Sequence, residues 1–242
     1  KASEKIDMSK HKGEHPRFGA TDVCPLIPVS NISFKELIPY AEKLAKRVSE
    51  TLNIPIYLYE YAAKEEKRKN LANVRSGEYE GLKEKISKKE WKPDFGLAFH
   101  KKSGATAIGV RDFLIAYNIN LNTKSTRLAN AIAFDVREKG RIKRKGHPVI
   151  GDIVYDKNGN PEKIPGSLKH VKAIGWYIDE FGIAQISMNL TNITETPIHT
   201  VFDEVSKKAE IRGARVTGSE LVGLIPLKSM LDAGKYFLKK QN

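Results

Sequence analysis

The chain has 242 residues, of which 40% are hydrophobic and 29% are charged, a balance typical of a globular protein with one large domain or two small ones. It contains neither an apolar run long enough to span a bilayer nor a signal sequence, so we expect no membrane association. The single cysteine, Cys24, cannot form an intramolecular disulfide, which predicts a reducing, cytoplasmic location. The net charge of +13 fits either an anionic partner, such as nucleic acid, an acidic membrane surface or a small polyanion, or a diffuse excess of charge on solvated faces and loops with no partner.

The first half of the chain reads as strands alternating with helices. Asp22 to Val29 has the pattern of a buried strand. Ser33-Phe34-Lys35-Glu36 is a capping box that opens a helix, and apolar residues recur every three or four positions from Phe34 to Leu52. Ile54 to Tyr59 predicts a second strand, and 64–90 predicts a charge-rich helical stretch interrupted by a glycine.

A loop follows that carries aromatic and basic residues between two glycines, Gly96 and Gly104. Phe99, His100, Lys101 and Lys102 on a flexible loop can stack on a heterocycle and bind its carboxylates. The same composition also fits a plain connector, so the loop alone does not decide between the two.

We place a domain boundary near Ala107, which gives domains of residues 1–106 and 107–242. The second half reads as strand, helix, strand, strand, helix, strand, the order of a ferredoxin-like β-α-β-β-α-β unit. Its predicted elements are Phe113 to Leu121, Ser125 to Glu138, His170 to Ile178, Gly182 to Leu190, a helix that Thr196-Pro197 opens with a cap and a first-turn proline, and Val216 to Leu224. The predicted fold class is therefore α/β (α+β), with two subdomains of mixed sheets covered by helices.

An insertion at about 140–169 interrupts this second unit. Val149 to Lys163 predicts a β-hairpin with a tight turn at Asn158-Gly159. The basic run from Arg141 to Lys145 precedes it and fits either an anion site or a solvated surface.

One histidine has a setting that suits acid-base chemistry. His15 lies between Gly13, which permits a turn, and Pro16, which favours an extended residue before it. Histidine has an ordinary pKa of about 6.5 and exchanges a proton near neutral pH. On spacing alone, one histidine beside Glu14 is more often a plain loop residue than a catalytic one. No His, Cys or carboxylate cluster has metal-ligand spacing, so we expect no metal.

Seven short segments, taken together, resemble the formiminotransferase family in the same order over nearly the whole chain. The first is Gly13-Glu14-His15-Pro16-Arg17, continued by Gly19-Ala20, Asp22-Val23-Cys24-Pro25 and Ile27-Pro28-Val29. The others are Gly77-Glu78-Tyr79-Glu80, Pro93-Asp94-Phe95-Gly96, Gly104-Ala105-Thr106, Phe113 to Leu121, Ile174-Gly175-Trp176-Tyr177 and Leu221 to Pro226.

The resemblance implies an enzyme that moves a formimino group from N-formimino-L-glutamate to N5 of tetrahydrofolate and releases L-glutamate, in histidine degradation and one-carbon metabolism. His15 matches the family's catalytic histidine, and Arg17 and Asp22 beside it would orient it or a substrate carboxylate. Tetrahydrofolate, with or without a polyglutamate tail, would be a co-substrate, and the family implies a cytoplasmic homodimer. The residues that match its folate-contacting loop are Gly96, Leu97, Ala98, Phe99, His100, Lys101, Lys102, Ser103 and Gly104.

Three other functions stay open. One is a folate-dependent relative that transfers formyl, and another is an inactive folate-binding fragment, since the resemblance implies about sixty further residues before Lys1. The cyclodeaminase fused to some family members is expected to be absent. The third is a basic nucleic-acid-binding module, which needs exposed aromatic residues on neighbouring strands. Phe113 to Leu121 and Gly182 to Leu190 are mostly aliphatic, so we expect no nucleic-acid partner.

Overall fold

The computed structural model describes residues 1–13, 16–147 and 150–241, and the chain forms two compact α/β units, Lys1–Asp112 and Phe113–Asn242. The division between the units therefore follows Asp112, whereas the sequence analysis placed it after Thr106. The later position arises because the strand Thr106–Val110 hydrogen-bonds to a strand of the first unit on each side. Within the described residues, no helix has the length and apolarity to cross a membrane.

The elements of the first unit are α1 (Ala2–Lys5), β1 (Val23–Leu26), α2 (Phe34–Leu52), β2 (Ile56–Glu60), α3 (Glu66–Lys69), α4 (Leu71–Val74), α5 (Glu78–Ser87) and β3 (Thr106–Val110). The three strands form a parallel sheet in the order β1-β3-β2. Because Ala107 of β3 pairs with both Val23 and Tyr57, β3, the last strand of the unit in the sequence, lies at the centre of the sheet.

Helices of this unit pack against both faces of the sheet. On one face Leu58 and Ile108 pack against α2, and on the other Tyr57 and Ala107 pack with α4 and α5. The predicted capping box of α2 is confirmed, since Ser33 Oγ accepts from the Glu36 N–H and the Glu36 carboxylate accepts from the Ser33 N–H at 2.9 Å. The burial of both faces leaves the loops as the places where this unit exposes polar groups.

The elements of the second unit are β4 (Ile115–Leu121), α6 (Thr126–Val136), four two-residue strands β5 to β8 (Arg141–Ile142, Arg144–Lys145, Asp152–Ile153, Lys163–Ile164), β9 (Val171–Ile178), β10 (Ile183–Leu190), α7 (Ile198–Ile211), β11 (Val216–Val222) and α8 (Leu227–Gln241). Its main sheet is antiparallel and has four strands in the order β11-β4-β10-β9. The predicted order of strands and helices is present, while the ferredoxin-like assignment stays a prediction. The helix α8 was not predicted from the sequence.

Helices cover one face of the second sheet. Ile119 and Ile186 point to that face and belong to a core shared with α6 and α7. Since side chains alternate along a strand, Asn118, Asn120 and Gln185 lie on the opposite face. That face carries a hydrogen-bonded polar cluster.

Of two local predictions for the second unit, one is confirmed and one is wrong. The tight turn at Asn158-Gly159 closes a β-hairpin, since Tyr155 pairs with Pro161 and the Glu162 N–H donates to Val154 O at 2.8 Å. Further from the turn, the chain pairs with the preceding basic segment, β5 with β8 and β6 with β7. Lys143 of that segment forms an ion pair with Glu162 at 2.7 Å. Thr196 does not cap α7, because its hydroxyl donates to the Lys169 carbonyl and Pro197 takes the N-cap position.

Candidate active site on the first unit

The predicted catalytic residue, His15, and its neighbour Glu14 lie outside the described residues. The chain on either side is described, with 12–13 before them and 16–22 after them. The contacts of these flanking residues define the candidate site.

Arg17 joins this segment to the start of α5. Its guanidinium donates to Glu78 at 2.9 Å and to both carboxylate oxygens of Glu80 at 2.7 and 2.9 Å, and also to the His11 carbonyl oxygen. The hydrogen bond from Arg17 lowers the pKa of Glu80 to about 2. Tyr79 N–H donates to the Arg17 carbonyl oxygen at 3.0 Å, so both the backbone and the side chain of Arg17 hold the segment.

Asp22 fixes the other end of the segment. Its Oδ1 accepts from the Phe18 N–H at 2.9 Å, and its Oδ2 forms an ion pair with Arg75, the residue after α4. Phe18 itself is fully buried between the sheet and the helices of this unit. Arg17 and Asp22 thus both make internal contacts that fix the backbone on the carboxyl side of His15.

Two glycines bring this segment against the predicted folate-contacting loop. Gly19 pairs with Gly104, Ala20 N–H donates to Ser103 O at 2.8 Å, and Ala105 N–H donates to Phe18 O at 3.0 Å. A Cβ on Gly19 would lie 1.8 Å from the backbone oxygen of Ala105, and Gly104 has φ +67°. The close approach therefore requires glycine on both sides.

Contacts from α5 and the amino-terminal residues hold the loop in place. Tyr79 OH donates to Lys101 O at 2.5 Å, and the Tyr79 ring lies 5.8 Å from the ring of Phe99. Ser103 N–H donates to His100 Nδ1 at 3.0 Å, so that nitrogen carries no proton and a neutral ring is protonated on Nε2. Lys102 Nζ donates to the Glu4 carbonyl oxygen, so one of the two lysines of the loop already has a hydrogen-bond partner within the chain.

A shallow depression of about 550 Å³ lies beside this junction, lined by Lys12, Gly13, Arg17, Gly77, Glu78 and Glu80. Close by, Ser103 is 1% exposed and its hydroxyl has no hydrogen-bond partner among the described residues. Sequence reasoning did not select Arg75, Glu78 or Glu80 as site residues. The segment Gly77-Glu78-Tyr79-Glu80 supplied the only signal, as one of the matching segments.

No group of three or more His, Cys, Asp or Glu side chains in the described ranges has the geometry to hold a metal ion. The described side chains here include the cations Arg17 and Lys101 and the aromatic ring of Phe99, groups that can bind carboxylates and stack on heterocycles.

Known proteins match both units. Residues 1–111 match the N-terminal subdomain of the formiminotransferase domain, and residues 116–242 match the formiminotransferase domain. A glutamate formimidoyltransferase of Streptococcus pyogenes is 38% identical over 100% of this chain and 73% of its own length. One of Thermoplasma acidophilum is 40% identical over 98% and 71%. A formimidoyltransferase-cyclodeaminase of Dictyostelium discoideum is 48% identical over 98% of this chain and 41% of its own, so the chain spans about two fifths of that relative.

Proposed function

Since the chain belongs to the formiminotransferase family, we propose that it transfers the formimino group of N-formimino-L-glutamate to N5 of tetrahydrofolate and releases L-glutamate. The observation that supports this best is the contact between Gly19 and Gly104. It joins the segment that carries His15 to the loop that matches the family's folate-contacting residues.

In the proposed reaction, N5 of tetrahydrofolate attacks the formimino carbon and gives a tetrahedral intermediate. The bond from that carbon to the glutamate nitrogen then breaks, and the departing nitrogen needs a proton. His15 donates it as a general acid after accepting a proton from N5, so the proton balance closes. General acid-base catalysis by one side chain contributes about 100- to 10,000-fold, and holding both substrates together supplies further rate.

The loop Gly96 to Gly104 is proposed to bind the folate. Phe99 offers an aromatic ring on which the heterocycle can stack, and Lys101 offers a cation for the glutamate part of folate or for a polyglutamate tail. The loop contacts described above support this, because they order the backbone while Lys101 stays exposed. Leu97, 75% exposed, adds an apolar surface to the same loop.

Arg17 and Asp22 are proposed to position His15 by fixing the backbone after it. Their support is the set of contacts to Glu78, Glu80, Arg75 and the Phe18 N–H. The Arg17 guanidinium already donates to the carboxylates of Glu78 and Glu80, which favours this positioning role over a direct contact with a substrate carboxylate. A cytoplasmic homodimer stays a proposal from the family.

The test is a spectrophotometric assay of formimino transfer to tetrahydrofolate with wild type, His15→Ala and the control His11→Ala, which removes an exposed imidazole four residues away. We expect His15→Ala to lower kcat by about 100-fold or more, with His11→Ala within about twofold of wild type. Wild-type kcat in His15→Ala contradicts the acid-base role. If the wild-type chain transfers a formyl group and no formimino group, the proposal that N-formimino-L-glutamate is the donor is wrong.

A further inference from the structure

A buried lysine of α5 holds the carboxyl end of α4. Lys85 is 7% exposed, and its ammonium group donates to four neutral oxygens of the preceding turn. They are the carbonyl oxygens of Asn73, Val74 and Ser76, at 2.8, 2.7 and 3.0 Å, and the Ser76 hydroxyl at 2.9 Å. Because an ammonium group has three N–H donors, these oxygens use its whole donor capacity.

The surroundings of Lys85 leave it positively charged at neutral pH although it is buried. Removal from water and the nearby Arg68 guanidinium lower the pKa of Lys85 from 10.5 to about 8, so the side chain carries its proton at pH 7. Its Nζ lies 3.9 Å from the centroid of the Trp91 ring, a cation–π contact. A buried charge needs polar groups that compensate for the lost water, and the bound oxygens do so here. The lysine and the turn are therefore held together by several contacts.

Arg75 connects this turn to the segment after His15. It lies between two of the carbonyl groups that Lys85 binds, and its guanidinium forms an ion pair with Asp22 Oδ2. The other oxygen of Asp22 accepts from the Phe18 N–H at 2.9 Å. Lys85 therefore sets the position of the arginine that orients Asp22, and Asp22 holds the backbone that follows His15.

The backbone between this turn and α5 has a conformation that needs support. Glu78, the first residue of α5, has φ +51°, in the left-handed region that a residue other than glycine rarely adopts. Glu78 and Glu80 are the carboxylates that accept from Arg17. Because Lys85 binds two oxygens of Ser76, it stabilises the chain just before the residues that direct these carboxylates at Arg17.

We propose that Lys85 is a positioning residue for formimino transfer. By holding the turn between α4 and α5, it keeps the partners of Arg17 and Asp22 in place and so fixes the backbone that follows His15. The inference rests on the proposed function, because Lys85 acts through the proposed catalytic histidine. Lys85 itself does not touch a substrate in this role, since its buried ammonium group already donates to oxygens of the chain. Its substitution should therefore loosen residues 16–22 as well as slow the reaction.

The test uses Lys85→Met, which keeps the length of the side chain but has no donor, and Lys85→Gln, which keeps an NH₂ group and decides if Lys85→Met does not fold. Lys83→Met is the matched control for the lost charge, because Lys83 is exposed on the same helix. Leu58→Ala is the control for lost stability, since it leaves a cavity on the face of the sheet that packs against α2.

Two measurements follow these variants at a temperature where they are folded. Hydrogen–deuterium exchange reports the opening of residues 16–22 without any substrate, and the formimino transfer assay gives kcat. We expect exchange in residues 16–22 to become about 10-fold faster in Lys85→Met and kcat to fall about 10- to 100-fold, with smaller changes of the same sign in Lys85→Gln. Lys83→Met and Leu58→Ala should leave kcat within about twofold of wild type.

Unchanged exchange of residues 16–22, or an unchanged kcat, in both Lys85 variants overturns the inference. A loss of kcat in Leu58→Ala as large as that in Lys85→Met also overturns it, because lost stability alone would then explain the effect. A wild-type chain that transfers no formimino group contradicts the proposed function. In that case the exchange measurement decides separately whether Lys85 holds the segment: faster exchange supports this and unchanged exchange refutes it.

Discussion

The two sheets differ in where they leave polar groups that a ligand can reach. In the parallel sheet of the first unit, consecutive residues such as Tyr57 and Leu58 are both fully buried, on opposite faces. In the antiparallel sheet of the second unit, Ile186 is buried in the core while the next residue, Ser187, is half-buried on the open face. A sheet covered on both faces leaves chemistry to its loops, whereas a sheet covered on one face can carry polar groups itself.

The polar side chains of the two units follow this difference. The first unit assembles its candidate site from the segment around Arg17 and the loop Gly96 to Gly104, which meet at a pair of glycines. The second unit places Glu220 and its amide partners directly on strands. The site made of loops depends on backbone geometry, and the polar cluster on the strands depends on side-chain hydrogen bonds. Three predictions test this comparison.

Gly19→Ala should be the most damaging change. The new Cβ would lie 1.8 Å from a backbone oxygen, so the segment and the loop must separate, and we expect the free energy of unfolding to fall by about 4 kcal/mol or more. Formimino transfer should be lost in parallel. The control is Gly218→Ala in the second unit, where a Cβ meets open space and stability should stay within about 0.5 kcal/mol. Chemical denaturation of both variants measures this, and equal stability of the two contradicts the glycine requirement.

The burial pattern along single strands gives the second prediction. Tyr57→Ala and Leu58→Ala, adjacent in β2, should each lower the free energy of unfolding by about 3 kcal/mol, because each leaves a cavity on its own face of the sheet. In β10, Ile186→Ala should cost about as much, while Ser187→Ala should change it by less than about 0.5 kcal/mol. Urea unfolding compares the four variants, and a large cost for Ser187→Ala would show that the open face is packed.

The third prediction concerns acid. Since Arg17 lowers the pKa of Glu80 from 4.5 to about 2, the folded state binds fewer protons here than the unfolded state. The stability contributed by this pair is therefore complete above pH 4.5 and is lost as pH falls towards about 2. Because Glu80 is exposed, we expect Glu80→Gln to cost no more than about 1 kcal/mol at pH 7.

Denaturation of wild type and Glu80→Gln between pH 7 and pH 2 measures this difference. Glu84→Gln, one turn further along α5, is the matched control for an exposed carboxylate of the same helix that does not contact Arg17. A difference between wild type and Glu80→Gln that stays constant over this pH range argues against the Arg17 contact.

Several features were determined by the sequence alone, because their causes are local. The capping box at Ser33 and Glu36, the amphipathic helix that follows and the order of elements in the second unit all depend on residues a few positions apart. The family, too, was recognisable from short segments in a fixed order.

Other features were decided only by tertiary structure, because they join residues far apart in the chain. Thr106–Val110 became the central strand of the first sheet, and the boundary moved to Asp112, through pairing with strands about fifty and eighty residues earlier. Arg17 meets Glu80, and Gln185 meets Glu220, for the same reason. Local patterns predict which residues form strands and helices, but the partner of a polar side chain depends on which strands lie next to each other. The structure therefore adds to the sequence the contacts that hold the candidate site of the first unit and the polar cluster of the second.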